Sequence, residues 1–244
     1  MNASEFHSTR KFTDTPFGRI AYVERGAGPG ALFIHGLPLC GFQWREVLDD
    51  LSGMRRCIAL DLMGLGYNEI RAGQDISFES QARMIAAFLD AQDIKQVDLT
   101  GNDTGGGVSQ IFAARNPERV RTLTLTDCEV NDLWPNAMLQ QFYGALKSGI
   151  VGETFKVMAR DESVARAQLG TVFEDTSRLV AETLDVYFGP FVESAERLEL
   201  VRGFADAEGI AISWSRSHRG CANQSFPRRL HGVKPIPPLM VRPR

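Results

Sequence analysis

The 244-residue sequence predicts an α/β fold: a mostly parallel sheet with helices on both faces and an inserted helical cap. Three observations predict it. Short apolar runs alternate with helix-like runs through the first half of the chain, the pattern of strands joined by crossover helices. From Glu129 to about Phe204 the texture becomes helical, with few strand signals. Between these regions the apolar run Val97–Thr100 passes straight into a glycine-rich turn and a further helix-like run. The organisation that follows is an α/β core over 1–128, a helical cap over 129–205 and an atypical remainder of the core over 206–244.

The elements can be read in order. Lys11–Thr15 and Arg19–Glu24 form a hairpin pair around Pro16–Gly18. Ala31–Ile34 is an apolar strand that leads into His35–Gly36, and Gln43–Leu51 is a short helix. Cys57–Leu60 is the next strand and ends at Asp61. Ser77–Gln92 is the clearest helix. Its apolar residues Phe78, Met84, Ile85, Phe88 and Leu89 recur at helical spacing, and Ser77 stands as N-cap with Glu79 in the first turn. Val108–Arg115 is a helix that stops before Pro117, and Val120–Thr126 is a β-rich strand.

Composition excludes several classes. A formal net charge of −3 without a long basic run argues against a nucleic-acid partner. No stretch has the apolar length of a membrane span, and the first twelve residues do not read as a signal peptide. Cys40, Cys57, Cys128 and Cys221 lie far apart with no C-x-x-C pair, so they read as thiols in a reducing, cytoplasmic setting. No metal site and no cofactor is expected. The oligomeric state is not encoded in any pattern visible here.

The chemistry concentrates at Gly101-Asn102-Asp103-Thr104-Gly105, which follows a strand and precedes a helix. This is the arrangement of a nucleophile elbow with Asp in place of Ser. A nucleophile on so tight a turn needs small residues two positions to either side, and the following helix offers free N–H donors to the reacting group. Taken alone, the segment fits an ordinary turn or N-cap aspartate equally well. Ser109 does not compete, because its surroundings lack the second glycine. After the strand Ala31–Ile34, the backbone N–H of Leu37 is the expected oxyanion or leaving-group donor, paired with that of Thr104. His35 ties down this loop and borders the expected substrate pocket.

Several segments at these spacings carry a more specific signal: H-G-L-P (35–38), Trp44–Arg45, D-L-M-G-L-G-Y (61–67), G-N-D-T-G-G (101–106) and A-A-R-N-P-E-R-V (113–120). With them the sequence resembles the α/β-hydrolase superfamily, and within it the aspartate-nucleophile branch of haloalkane dehalogenases and epoxide hydrolases. The resemblance covers residues 10–135 and, more loosely, the cap to about 205. It implies a small apolar organic substrate and a two-step hydrolysis. Asp103 forms an alkyl-enzyme ester, and a histidine oriented by an acid activates the water that hydrolyses it. Asp127, at the end of the strand after the elbow helix, matches the position of the acid in some dehalogenases, with Glu129 as fallback. Trp134, Tyr143 and Tyr187 fall in the cap. Trp134 and Tyr143 are expected to line the pocket, and either tyrosine could protonate an epoxide oxygen. The sequence also departs from the dehalogenase pattern. Trp after the nucleophile and Asn after H-G hold the leaving halide there, and this chain has Thr104 and Leu37 at those positions.

The family pattern puts the histidine late in the domain, after the last core strand. The four histidines are His7, His35, His218 and His231. His218 is nominated as the base, with His231 beside it, yet both precede Leu239–Val241, which reads as the stub of a late strand. The stretch from about Gly209 loses all periodicity and gathers Arg, Ser and Pro. It reads as truncated or out of register, as a frameshift would produce. A chain without the base would complete the first step and trap its substrate on Asp103.

Overall fold

A computed structural model describes residues 1–128, 137–170 and 172–205. Six strands form one sheet in the order β1-β2-β4-β3-β5-β6. They are β1 (Lys11–Thr15), β2 (Gly18–Arg25), β3 (Gly30–Ile34), β4 (Arg56–Leu60), β5 (Val97–Asn102) and β6 (Val120–Thr126). β1 and β2 pair antiparallel through the predicted hairpin, and β2 pairs antiparallel with β4. The pairs β3–β4, β3–β5 and β5–β6 are parallel.

This order places a switch point in the sheet. From β3 the chain crosses to one side to make β4, then returns past β3 to make β5 on the other side. The carboxyl ends of β3 and β5 therefore open a crevice between crossovers that leave in opposite directions, where open α/β sheets hold their ligands. Ile34 pairs with Gly101 and Asn102 with Thr126, so His35–Leu37, Asp103 and Asp127 emerge at the same edge.

The helices of the first half follow their sequence signals. α1 (Ala3–Ser8) is closed by a capping box between Asn2 and Glu5. The stretch expected as one helix over 43–51 is a 3-10 turn, Gly41–Trp44, followed by α2 (Arg45–Leu51). α3 (Phe78–Ala91) starts at the predicted cap, where the Ser77 side chain accepts from the Ser80 N–H. Its apolar stripe is fully buried at Phe78, Met84, Ile85, Phe88 and Leu89.

α4 spans Thr104–Arg115 and so begins four residues before the predicted start at Val108. Gly105, Gly106 and Gly107 read as a loop, but they are helical, and their small size is what packing demands. A Cβ on Gly105 would strike the backbone carbonyls of Ile34 and His35, and one on Gly106 would strike the Cys128 side chain. One on Gly107 would lie 2.6 Å from the Phe78 ring. The glycines let α4 press against β3, the end of β6 and α3 at once.

Most of β6 is exposed, and Leu123 keeps 36% of its surface. Among the described residues β6 pairs with β5 alone.

Among the described residues of the expected cap region, every regular element is a helix. The region holds α5 (Ala137–Ser148), α6 (Ile150–Met158), α7 (Glu162–Leu169), α8 (Ala181–Glu193) and α9 (Ala195–Arg202). Phe155 packs on Phe188 and Phe191 with ring centroids 5.4 and 5.2 Å apart. This layer is tied to the loops of the core. Tyr67 Oη donates to Val186 O at 3.2 Å, and Arg197 donates to Gly66 O at 2.7 Å.

Candidate active site

Asp103 stands between β5 and α4 with φ +49° and ψ −127°. That is a left-handed backbone conformation, rarely adopted by a residue with a Cβ and stored where a structure over-determines it. Here the turn is held from both sides. The Asp103 N–H donates to Thr126 O at 3.3 Å, and Asp103 O accepts from Gly106 N at 2.8 Å. The flanking small residues are required, as the elbow pattern predicts. A Cβ on Gly101 would lie 2.5 Å from Gly105 O and from Ser109 Oγ.

The carboxylate is gripped through one oxygen. Leu37 N–H donates to Asp103 Oδ2 at 2.9 Å, and Thr104 Oγ1 is 3.4 Å from the same atom. The Thr104 backbone N–H also favours the charged form. The two backbone donors expected of Leu37 and Thr104 thus converge on the Asp103 carboxylate. Burial is the largest influence and raises the carboxyl above its ordinary pKa; the donors oppose it and the nearby Asp127 charge adds to it.

His35 corrects one expectation. It was placed both as a tie of its loop and as a pocket residue, and only the first description fits. Its ring is fully buried. Nδ1 faces Gly36 O at 2.9 Å and Nε2 accepts from Leu62 N–H at 2.9 Å. Since Leu62 N–H can only donate and Gly36 O can only accept, the ring is the neutral Nδ1–H tautomer. Burial lowers its pKa further. With both nitrogens committed, His35 offers neither a face to a substrate nor a proton acceptor to Asp103.

Asp127 lies exposed at the end of β6 with φ +43°, close enough for its charge to act on Asp103. Among the described residues no imidazole hydrogen-bonds Asp103 or Asp127. His7 instead faces the Tyr67 ring edge-on at 5.1 Å. His218, His231, Glu129 and Trp134 lie outside the described residues. Tyr143 is buried in α5, and Tyr187 is buried in α8 against Phe42, with Arg45 Nη1 donating to its hydroxyl at 3.4 Å. Among the described residues no His, Cys, Asp and Glu group has the arrangement of a metal site. No described helix is long and apolar enough to cross a membrane.

Two polar residues escaped the sequence reading. Gln43 appeared only as the start of a helix, and Asn102 only as the variable residue before the nucleophile. In the structure they hydrogen-bond each other at 2.6 Å beneath the elbow. Asp61 was expected as a strand-end residue and proves to be the anchor of its loop. It is 3% exposed and accepts from Gly41 N–H at 2.7 Å and Tyr67 N–H at 2.9 Å.

A family model described as "alpha/beta hydrolase fold" matches residues 32–149. A haloalkane dehalogenase of Mesorhizobium japonicum is 30% identical over 233 residues, covering 88% of this chain and 72% of that protein. The chain belongs to the α/β-hydrolase superfamily, on its haloalkane-dehalogenase-like branch. Other relatives match about half of this α/β-hydrolase chain. A haloalkane dehalogenase of Agrobacterium fabrum is 36% identical over 49% of the chain and 40% of its own length. A solved haloalkane dehalogenase from Agrobacterium tumefaciens superposes with a TM-score of 0.68 at 22% identity, covering 86% of this chain and 73% of the other. A solved epoxide hydrolase gives 0.64 at 22% identity, covering 84% and 75%. Both confirm the fold of this α/β-hydrolase.

Proposed function

We propose that this protein cleaves carbon–halogen bonds of small apolar molecules by nucleophilic displacement at Asp103. The observation that carries the reading is the elbow itself: a half-buried carboxylate on a left-handed turn, with Leu37 N–H and Thr104 holding Oδ2. That grip leaves Oδ1 to attack. A carboxylate needs no base to become a nucleophile at neutral pH, so the first step requires only approach and alignment. Oδ1 forms the new bond to carbon, and the halide departs with the electron pair of the carbon–halogen bond. Oδ2 is then the carbonyl oxygen of an ester whose polarising donors are already in place. Water adds to the Asp103 carboxyl carbon, one of its protons leaves with the alcohol and the other passes to the base and on to solvent, and the carboxylate returns carrying one oxygen from water.

The water step needs a base, and general-base catalysis contributes about 10²–10⁴-fold. His218 is the proposed base and Asp127 its orienting acid. Leu37 and Thr104 lack the side-chain N–H groups with which Asn and Trp hold the halide in haloalkane dehalogenases. Halide departure then depends more on the halogen, and the rate should fall steeply from iodide through bromide to chloride. Trp134 and Tyr143 are proposed to border the substrate.

The test is incubation with 1-bromobutane in ¹⁸O-labelled water. Bromide release with ¹⁸O in the Asp103 peptide supports the full cycle. A stable adduct of butyl mass on Asp103 supports the first step and assigns the chain no working base. Neither bromide nor adduct would sink the reading. Styrene oxide in the same experiment addresses the alternative, epoxide hydrolysis, in which Tyr143 or Tyr187 would protonate the epoxide oxygen. Diol without halide activity would establish it instead.

A further inference from the structure

A single polar chain runs below the nucleophile and joins three loops at the carboxyl edge of the sheet. Gly36 N–H donates to Gln43 Oε1 at 3.1 Å. Gln43 Nε2 donates to Asn102 Oδ1 at 2.6 Å. Asn102 Nδ2 donates to Thr126 O at 3.0 Å and to Thr126 Oγ1 at 3.1 Å. The loop after β3, the residue before Asp103 and the last residue of β6 are thereby linked.

The direction of this chain is fixed at both ends. A backbone N–H can only donate and a backbone carbonyl can only accept. Turning either amide over would put two donors or two acceptors face to face, so each side chain has one orientation. Gln43 and Asn102 are both half-buried, so a missing partner is not fully replaced by water.

Gly36 is where such a hold matters. A Cβ there would lie 2.6 Å from Asp103 Oδ2, so the position must be glycine and has no side chain to fix it. Its peptide is held only through hydrogen bonds: its N–H by Gln43, its carbonyl by His35 Nδ1 and Leu39 N–H, each at 2.9 Å. The next N–H along the chain is that of Leu37, the donor to Asp103 Oδ2.

We infer that Gln43, oriented by Asn102, is a positioning residue that holds the Leu37 N–H on the Asp103 carboxylate. The inference deepens the proposed function and rests on Asp103 as the reacting group. It assigns Gln43 no contact with substrate. Its role is to place the donor that grips one carboxylate oxygen and leaves the other exposed to carbon.

The experiment reads Asp103 directly. Protein labelled with ¹³C at the aspartate carboxyl is titrated by NMR, and the Asp103 resonance is assigned by its loss in Asp103→Asn. Gln43→Leu keeps the volume of Gln43 and removes both hydrogen bonds, and Asn102→Ala removes the orienting partner. Gln43→Met replaces Gln43→Leu should the latter fail to fold. Each variant is expected to move the Asp103 midpoint upward, because the carboxylate loses an aligned donor. Alkylation by 1-bromobutane at neutral pH should slow about tenfold, below the loss seen when such a donor is removed outright. A midpoint unchanged in the folded variants overturns the inference, even if their melting temperatures fall, since a merely structural pair would behave so. Wild-type protein that does not react with 1-bromobutane sinks the nucleophile reading, and the titration still decides the positioning.

Discussion

At the residue scale, Asp103 is a carboxylate kept where burial opposes its charge. Its pKa is raised, so the native state binds this proton more tightly than the unfolded chain does. Stability therefore falls as pH rises from the ordinary aspartate range through the native pKa, and stays reduced above it. Asp103→Asn removes that penalty while keeping an oxygen to accept from Leu37 N–H. The variant should melt higher than wild type at pH 7 and lose all alkylation, and the stability gap should close below about pH 3.9. Thermal unfolding across pH checks this, and a variant less stable at neutral pH would contradict it. Asp61 has a structural role, because its carboxylate accepts from the N–H groups of Gly41 and Tyr67. Asp61→Ala orphans the Gly41 and Tyr67 donors and should cost about 2–5 kcal/mol in urea unfolding.

At the element scale, the glycines divide by their surroundings. Gly144 lies inside α5 with nothing within 4 Å of an added Cβ, so Gly144→Ala should stabilise by about 0.5–1 kcal/mol through helix propensity alone. Gly105 lies inside α4 against the backbone carbonyls of Ile34 and His35. Gly105→Ala should cost about 1–3 kcal/mol and displace the loop that carries Leu37, so alkylation falls with stability. Denaturant unfolding of the pair separates propensity from packing. The start of α3 is set by a side chain, and Ser77→Ala should cost about 1 kcal/mol. These elements were largely legible in the sequence. The strands, the hairpin and α3 announce themselves by period, turn residues and caps. The start of α4 was not legible, because three consecutive glycines read locally as a breaker.

For the whole molecule, the helical segment 137–205 is bound to the core at the loops that surround the site. Tyr67 reaches Val186, Arg197 reaches Gly66, and Phe42 meets Tyr187 with centroids 5.6 Å apart. Within that segment Phe155, Phe188 and Phe191 form the aromatic contact. Phe188 is fully buried, and Phe188→Ala should cost about 3–5 kcal/mol, read by urea unfolding. Limited proteolysis should then cut first within 137–205, since the sheet keeps its own core. A variant cut first in the sheet would show that the two parts unfold together.

The sequence by itself determined the fold class, the elbow and the identity of Asp103 as the residue to watch. Each of these rests on local rules: alternation of strand and helix, a strand entering a helix through glycine, and a cap before an apolar stripe. Tertiary structure decided which groups meet. The strand order brings residues 36–37, 43, 102–103 and 126–127 to one edge, although they are scattered over 92 residues of chain. Only that meeting turns His35 from a possible pocket residue into a committed structural tautomer, and Gln43 from a helix start into a partner of Asn102. Hydrogen-bond direction and burial are properties of neighbours in space, and a linear pattern carries no record of them.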